Sequence, residues 1–429
     1  MNNPKQINFI DELPERFFEK ALLVISKNEK YFSFLNSSKS KIADYPYLEY
    51  DKILAFGGDK IITPLQNKWD GLTEFIKDEK SWKFGFLSYD LKNELEELSS
   101  QNSDEVQFPE LAFFTPKTVI TQKGNQVFFY GDDQTIELII EKIKFQKIEP
   151  FNPPEKKVFE SKTSKEQYIK TINSLKQEIK RGNIYEINYC IEFFAKKYDL
   201  DPLALYQYFV ADSIVPFGAF CRFNNHFIFS ASPERFLKKQ DQKLISQPIK
   251  GTSRRQEFGN HDLERETLKS SLKDQTENVM IVDLVRNDLS KTASRASVKV
   301  EELFGVYSFP TVHQLISTIT SNVDANTNPV EVLKTCFPMG SMTGAPKISA
   351  MKLAEKHENF KRGMYSGALG FFTPNNDFDF NVVIRSAIYN VETKYLSYAV
   401  GGAITDLSNA EDEYEECLLK AERFLKLFH

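Results

Sequence analysis

Two runs of strand character near the end of the chain, residues 378–390 and 394–404, are separated only by a turn at Asn390–Thr393. A parallel pair needs a crossover of a dozen or more residues, so a gap this short makes the two strands antiparallel. Residues 226–231 and 367–372 also read as strands, while apolar spacing predicts helices over 203–210, 262–273, 275–287, 329–336 and 346–357. A further helix is announced by a capping box of Thr163 with Glu166, an apolar stripe through Ile169, Ile172, Leu175 and Ile179, and Gly182 as its stop. Helices and strands are thus interspersed with hairpin-like neighbours, which predicts an α+β fold rather than a doubly wound parallel sheet. No repeat or low-complexity segment is visible.

Residues 1 to about 150 alternate aromatic and β-branched runs such as Lys83–Tyr89 and Val127–Tyr130 with polar turns, and carry no diagnostic motif. The stretch Lys147–Lys157, with three prolines and mixed charge, is the best linker, because proline breaks both helices and central strands. The expected division is therefore an N-terminal region of 1–150 and a second region of 158–429.

Charge limits the partners. Fifty-five Lys+Arg against sixty Asp+Glu leave a net −5, which argues against nucleic-acid binding through bulk charge and requires a local positive site for any small anion. Cys190, Cys221, Cys336 and Cys417 form no CxxC pair, so neither a zinc cluster nor a disulfide framework is expected, and a reducing compartment fits. The opening MNNPKQINFIDELPERFFEKALLVIS lacks the apolar core of a signal peptide, and no window reaches the roughly 18 apolar residues of a membrane span. The expectation is a soluble, cytoplasmic protein without membrane contact.

Chemistry concentrates in the second region. The last helix is predicted to start at a capping box of Ser408 with Glu411 and to pack through Tyr414, Cys417, Leu418, Ala421, Phe424, Leu425 and Phe428. At roughly 100° per residue, Glu413, Glu416 and Lys420 share one edge of that stripe, whereas Glu415 and Glu422 point away. A surface Glu416–Lys420 pair is the plain explanation. In the helix around 274–287, Glu277 lies in the apolar face with Ile281 and Leu284, and Asp274 is on the same side. A carboxylate facing a core needs a cation, a hydrogen-bond network or a metal, so either a buried ion pair, for instance with Arg286, or a metal is implied. If the two acidic seams meet, the result is an oxygen-only site suited to Mg²⁺, which can in turn hold a substrate carboxylate.

Several loops add polar groups. Phe337–Met351 (FPMGSMTGAPKISAM) brings two glycines, a serine and a threonine before a helix near Pro346, with Lys347 in its first turn; its amides suit either an anion or a tight packed junction, and the P-loop spacing is absent. Gly401-Gly402-Ala403 reads as a second turn that follows a strand and precedes the acidic helix. Along the strand 378–390, just upstream, Asn381, Val383 and Arg385 share one face and Phe380, Val382, Ile384 and Ile388 the other; Arg385 suits a surface ion pair or, by its fork, a carboxylate. Lys250, in QPIKGTSRR, becomes a nucleophile only where burial or nearby cations keep part of it neutral. Glu234, at a strand end, suits proton donation to a leaving hydroxyl if its pKa is raised.

Taken together, SPERF at 232–236, PIKGT at 248–252, ENVMIVDLVRND at 277–288, the FPMGSMTGAPKISAM run, IRSA at 384–387 and the GGA…EDEYEECLLKA ending resemble the chorismate-utilising enzymes over residues 160–429. The resemblance implies a fold of two large antiparallel β-sheets packed as a sandwich with helices outside, to whose body the N-terminal region contributes strands. It implies Glu277 and Glu416 as Mg²⁺ ligands, with Asp274 and Glu413 as supporting acids. Lys420, Arg385 and Gly401, Gly402 and Ala403 match carboxylate-binding positions, Thr252 and Tyr365 pocket-lining ones, and Glu234 the general acid. Lys250 in PIKGT is similar to the branch that aminates chorismate at C4 toward 4-aminobenzoate and folate, where this lysine adds at C2 before ammonia attacks C4; anthranilate-forming members usually carry alanine. Because no glutaminase elbow is present, ammonia is expected from a separate glutamine amidotransferase subunit. The alternatives are an anthranilate-forming enzyme and an inactive subunit that only holds the amidotransferase. Three positions depart from the family pattern: Gln314 replaces a histidine, Ala403 replaces a third glycine, and Glu186 in GNIYEIN stands where aminating members often have Gln and water-adding members Lys.

Overall fold

The computed structural model describes residues 4, 6–42, 44–78, 80–256 and 258–429; Met1–Asn3 and Lys5, part of the stretch read as lacking a signal peptide, lie outside the described residues. The N-terminal region supplies β1 (Gln6–Phe9), β2 (Tyr31–Asn36), β3 (Lys52–Ile62), β4 (Lys83–Leu87), β5 (Leu111–Lys123) and β6 (Gln126–Tyr130), with helices α1 (Phe17–Asn28), α2 (Lys68–Asp78) and α3 (Asp133–Phe145). After the proline-bearing stretch come β7 (Glu160–Ser161), α4 (Lys165–Lys180), β8 (Glu186–Ala195), α5 (Pro202–Tyr206), β9 (Phe217–Phe223), β10 (His226–Ser232), β11 (Arg235–Gln240), β12 (Lys243–Gln247) and β13 (Ile249–Arg254). Next are α6 (His261–Ser270), α7 (Leu272–Ser290), β14 (Lys299–Ser308), β15 (Val312–Asn322), α8 (Pro329–Cys336), β16 (Gly344–Ala345) and α9 (Lys347–His357). The chain closes with β17 (Ala368–Phe372), β18 (Phe378–Val382), β19 (Ser386–Asn390), β20 (Tyr395–Ile404) and α10 (Ala410–Leu425).

Every described strand pairing is antiparallel. One sheet runs β1-β6-β5-β3-β2-β9-β10-β19-β20-β8, with β7 and β16 on β8. The other runs β5-β4-β17-β18-β11-β12-β15, with β13 and β14 also on β15, and the long β5 serves both. Side-chain alternation then sorts the apolar residues into layers. On β3, Ile53 and Ala55 face an inner core shared with Phe84, Phe86, Cys221 and Phe371 of both sheets, while Leu54 and Phe56 face an outer core under helices α1 and α10. On the far side, Phe372 and Phe380 pack with α7 and α8 residues such as Ile281 and Leu333. The architecture is therefore an α+β sandwich of two antiparallel sheets with helices outside. Strands β2 and β4 of residues 1–150 pair with β9 and β17 of the later chain.

Local details correct some expectations. α4 is capped by Ser164 with Gln167, one residue after the Thr163–Glu166 box, because the Thr163 hydroxyl is turned toward Asn359. α10 is capped by Asn409 rather than Ser408, whose hydroxyl instead accepts from the Thr405 amide. The strand 378–390 is broken: β18 lies in one sheet, β19 in the other, and Arg385 between them has φ +51°. The face parity changes at this break, so Phe380 and Val382 face the core under α7 and α8 while Val383 and Ile388 face the inner one.

Phe86, fully buried, contacts Phe108 and Phe223 with ring centroids 5.3 and 4.8 Å away, and so ties a strand of one sheet to a strand of the other. Phe86→Ala should cost about 3–5 kcal/mol, seen as a large drop in the urea midpoint. Truncating the exposed Leu263 should leave the midpoint nearly unchanged.

Candidate active site

Two neighbouring segments that pass from one sheet to the other leave regular pairing at the seam, side by side. β10 passes into β11 through Ser232–Glu234, and β18 into β19 through Val383–Arg385. They are stitched together: Ser232 Oγ donates to the Val382 carbonyl at 2.6 Å, the Val382 amide to Glu234 O at 3.0 Å, and the Ala231 amide to Arg385 O at 3.0 Å. The left-handed conformation of Arg385 costs a non-glycine residue on the order of 1–2 kcal/mol. The crossover places Glu234 and Arg385 at the seam between the sheets.

Glu234 is 4% exposed, and burial pushes its carboxyl up to about 7, against the pull of a Ser341 hydrogen bond, the Lys250 charge and the Ile249 amide. Such a group is a proton donor near neutrality. The serine comes from the glycine-rich run after α8, which is held to β8 by Asn188, whose side-chain amide donates to Ser341 O at 3.1 Å.

Lys250 sits in a β-bulge, where the pairing of β13 with β15 slips between Ile249 and Thr252. Gly251 has φ +95°, and a Cβ there would lie 3.0 Å from the Asp274 side chain, so the bulge and α7 can meet only over a glycine. The slip directs Lys250 Nζ to Glu186 Oε1 at 2.7 Å. Glu186 is 1% exposed on β8 and is crossed by β16, where a Cβ on Gly344 would stand 2.2 Å from Glu186 O. Burial works against the Lys250 charge, but Glu186, Glu277 and Glu234 outweigh it and hold the ammonium above its ordinary value. Lys250 is buried as a nucleophile requires, but its neighbours are acids rather than cations, so it rests protonated.

The two acidic seams meet. Ser271 caps α7 by accepting from the Asp274 amide, which aims the first turn so that Glu277 lies buried beside Asn278 and Ile281. Burial pushes Glu277 up to about 7, eased by Lys250 and Lys273 and reinforced by Glu186 and Glu413. Arg286 is not its partner; it pairs with Asp283 at 2.7 Å. Burial pulls Lys273 down, yet Glu413, Glu277, Glu416 and Asp274 together raise it, and its Nζ lies 3.6 Å from Glu413 Oε1. One ammonium thus feels the acids of both helices. Lys420 Nζ lies between Glu416 Oε1 at 2.7 Å and the Gly401 carbonyl at 2.8 Å. Burial would raise Glu416, but Lys420, Lys273 and Arg385 overcome it and hold the carboxyl low.

Gly401, Gly402 and Ala403 form no turn. They lie inside β20, opposite Cys190, Tyr189 and Asn188 of β8. Their smallness serves close approach: a Cβ on Gly402 would stand 3.3 Å from Glu413 Oε2, and one on Gly401 would stand 2.6 Å from Cys190 Sγ. Lys347 is committed to Asp288 at 2.6 Å, so its ammonium is not offered to an anion. Tyr365 is buried with its hydroxyl on Cys190, beside Arg362, and so lies behind the glycine segment of β20. Thr252 is exposed on β13 opposite the buried Gln314. The adjacent His313 is engaged by Ser308 at 2.9 Å and Glu264 at 3.1 Å. The structure therefore groups Lys250, Glu234, Glu277, Asp274, Glu413, Glu416, Lys420 and Arg385. It adds Glu186, Lys273 and Ser341. Glu186 had signalled itself only as an odd residue in GNIYEIN; Lys273 gave no signal, since its role arises from acids on another helix.

The sequence pattern of chorismate binding enzymes matches residues 31–426. Aminodeoxychorismate synthase, chloroplastic, of Arabidopsis thaliana is 42% identical over 261 residues, 60% of this chain but only 28% of that protein's own length. Aminodeoxychorismate synthase component 1 of Escherichia coli (strain K12) is 31% identical over 347 residues, 80% of this chain and 76% of that one. The solved structure of anthranilate synthase component I from Streptococcus pneumoniae TIGR4 superposes with a TM-score of 0.79 at 22% identity, over 89% of this chain and 93% of that one, a likeness of fold.

The raised Glu234 has a consequence for stability. An unfolded chain releases this proton near 4.5, the folded protein only near 7, so between those values folding takes up a proton and stability falls as pH rises. In chelator-treated buffer, the urea midpoint of the wild type should fall across this window more steeply than that of Glu234→Gln. Parallel curves would show that the carboxyl titrates normally.

Proposed function

Since this chain belongs to the family of chorismate binding enzymes, we propose that it is the chorismate-aminating component of an aminodeoxychorismate synthase, forming 4-amino-4-deoxychorismate with ammonia from a glutamine amidotransferase subunit. The observation that carries this reading is Lys250, buried with Glu186, Glu277 and Glu234 around it, in a chain similar along most of its length to a protein named component 1.

In this reading the ring of chorismate lies between Lys250 and Glu234. Arg385 and Lys420 offset the two substrate carboxylates, and the small residues of β20 let them approach closely. Glu234, neutral at rest, gives its proton to the departing C4 hydroxyl, a poor leaving group without it. Lys250 adds at C2, and ammonia attacks C4 as the Lys250 bond breaks; two displacements retain configuration at C4. Pyruvate loss to 4-aminobenzoate, the folate precursor, falls to a separate lyase. The four cysteines are unbridged and buried, which supports a cytoplasmic setting. Among the described residues no helix is long and apolar enough to cross a membrane.

The donor set also fits Mg²⁺, because hard oxygens from two helices converge on one place, where Lys273 feels both sets. Glu277 and Glu416 would hold the ion, with Asp274 and Glu413 beside them. When bound, it supplies positive charge to a substrate carboxylate. An anthranilate-forming enzyme gains no support from the shared fold, since that likeness does not separate branches, and Lys250 speaks against it. An inactive holder of the amidotransferase would have no use for the acid and the lysine both buried at the seam.

Purified protein given chorismate, Mg²⁺ and ammonium salt should yield 4-amino-4-deoxychorismate by chromatography, and Lys250→Ala should abolish it. Glu234→Gln should lower the rate by about 10²–10⁴. Anthranilate as the sole product would overturn the assignment. Independently, added Mg²⁺ should raise the thermal midpoint of the wild type and leave that of Glu277→Gln nearly still; equal rises in both would remove Glu277 from the metal site.

A further inference from the structure

An amine attacks only after shedding its proton, and the surroundings of Lys250 leave one acceptor for it. Three carboxylates face the ammonium: Glu186 from β8, Glu277 from α7 and Glu234 from the crossover after β10. Glu234 must itself carry a proton for the leaving hydroxyl, and Glu277 belongs to the acids around Lys273. Glu186 is the one at hydrogen-bond distance, 2.7 Å. Its other oxygen, Oε2, is buried and meets no hydrogen-bond partner among the described residues, so the carboxyl has room to hold a proton without breaking any existing bond. The crossing of β8 by β16 fixes the Glu186 backbone from behind.

We propose that Glu186 is a further catalytic residue, the internal base that takes the proton of Lys250 for attack and returns it when the lysine is released. The proposal rests on Lys250 as nucleophile. The proton ledger closes. Lys250-NH₃⁺ and the Glu186 carboxylate become Lys250-NH₂ and the neutral acid. The Nζ–C2 bond then forms as the C4–O bond breaks, and the hydroxyl leaves as water with the proton of Glu234. Ammonia next forms its bond to C4, the C2–Nζ bond breaks with its electron pair returning to Nζ, and Glu186 gives its proton back. The new C4 ammonium gives one proton to Glu234. The sum is chorismate plus ammonia to aminodeoxychorismate plus water, with every side chain restored.

The test is the rate at which the Lys250 adduct appears, by rapid quench and intact-mass measurement, in wild type, Glu186→Gln and Glu186→Asp given chorismate and Mg²⁺ but no ammonia. In the wild type the proton moves within the pair, so the step draws nothing from solvent. In Glu186→Gln the proton must leave to solvent, and the neutral fraction of Lys250 grows about tenfold per pH unit. The ratio of wild-type to Glu186→Gln rates should therefore fall by up to about tenfold per pH unit from about pH 6 to about pH 9. Taking the ratio cancels the titration of Glu234, which both proteins share. Glu186→Asp, which keeps a carboxylate, should follow the wild-type shape at lower rate. Because glutamine keeps the size and hydrogen-bonding groups of the side chain, the expected result is a changed pH profile and not a dead enzyme. A ratio constant with pH, or an aspartate variant that behaves like the glutamine one, overturns the proposal. If the wild type forms neither adduct nor aminated product, the reading of Lys250 fails instead.

Discussion

Burying like charges together is the constraint on which this molecule turns. Glu186, Glu234, Glu277 and Glu413 are buried together at the site, whereas Asp274, Glu416, Lys273, Lys420 and Arg385 stand more open beside them. An uncompensated buried charge costs several kcal/mol, so a buried carboxylate without a cation on it is pressed toward its neutral form. The two acids that rise to about 7 are Glu234 and Glu277, neither of which has an ion pair among the described residues. Glu186 and Glu416, by contrast, each hold a lysine at 2.7 Å. The cluster thus divides itself into paired carboxylates and protonatable ones, and the protonatable ones are where a donor or a metal is wanted.

The sandwich makes that gathering affordable by opening a seam. Where β10–β11 and β18–β19 change sheets, backbone groups pair across the gap instead of along a ladder, and Glu234 and Arg385 are left facing it. α7 and α10 then bring their acids over β13 and β20, and glycines at 251 and 402 set how near they come. The anthranilate synthase component has a similar fold, and a fold alone does not decide the chemistry, which rests on the residues at the seam.

Features that depend on period and neighbour are legible in the sequence. The 3.6 period of α10 put Glu413, Glu416 and Lys420 on one edge, and the short link between β19 and β20 required their pairing. Glu277 showed itself as an acid on an apolar stripe. What escaped depended on distant chain. Nothing local says that residues 383–385 change sheets, so the single strand 378–390 and its two faces failed together. Gly401-Gly402 looked like a turn because glycine usually serves conformation; here it serves the approach of Cys190 and α10. Both cap errors were of one residue, where adjacent Thr163 and Ser164, or Ser408 and Asn409, compete for the same role and a tertiary hydrogen bond decides.

The resting charges also bear on the order of events. For the proposed reaction, Glu234 waits in the protonated form and Lys250 in the form that cannot attack. The arrival of a doubly negative substrate would hold the ammonium more tightly still, so loss of its proton to solvent becomes harder at the moment it is needed. Transfer within the Lys250–Glu186 contact has the opposite sensitivity. It turns an ion pair into a neutral pair, and an ion pair loses its advantage as water leaves and the surroundings become less polar. Water displaced by a bound ring would therefore free the amine without a partner from outside, and in the proposed reaction the acid that first looked out of place in GNIYEIN makes the charged lysine usable.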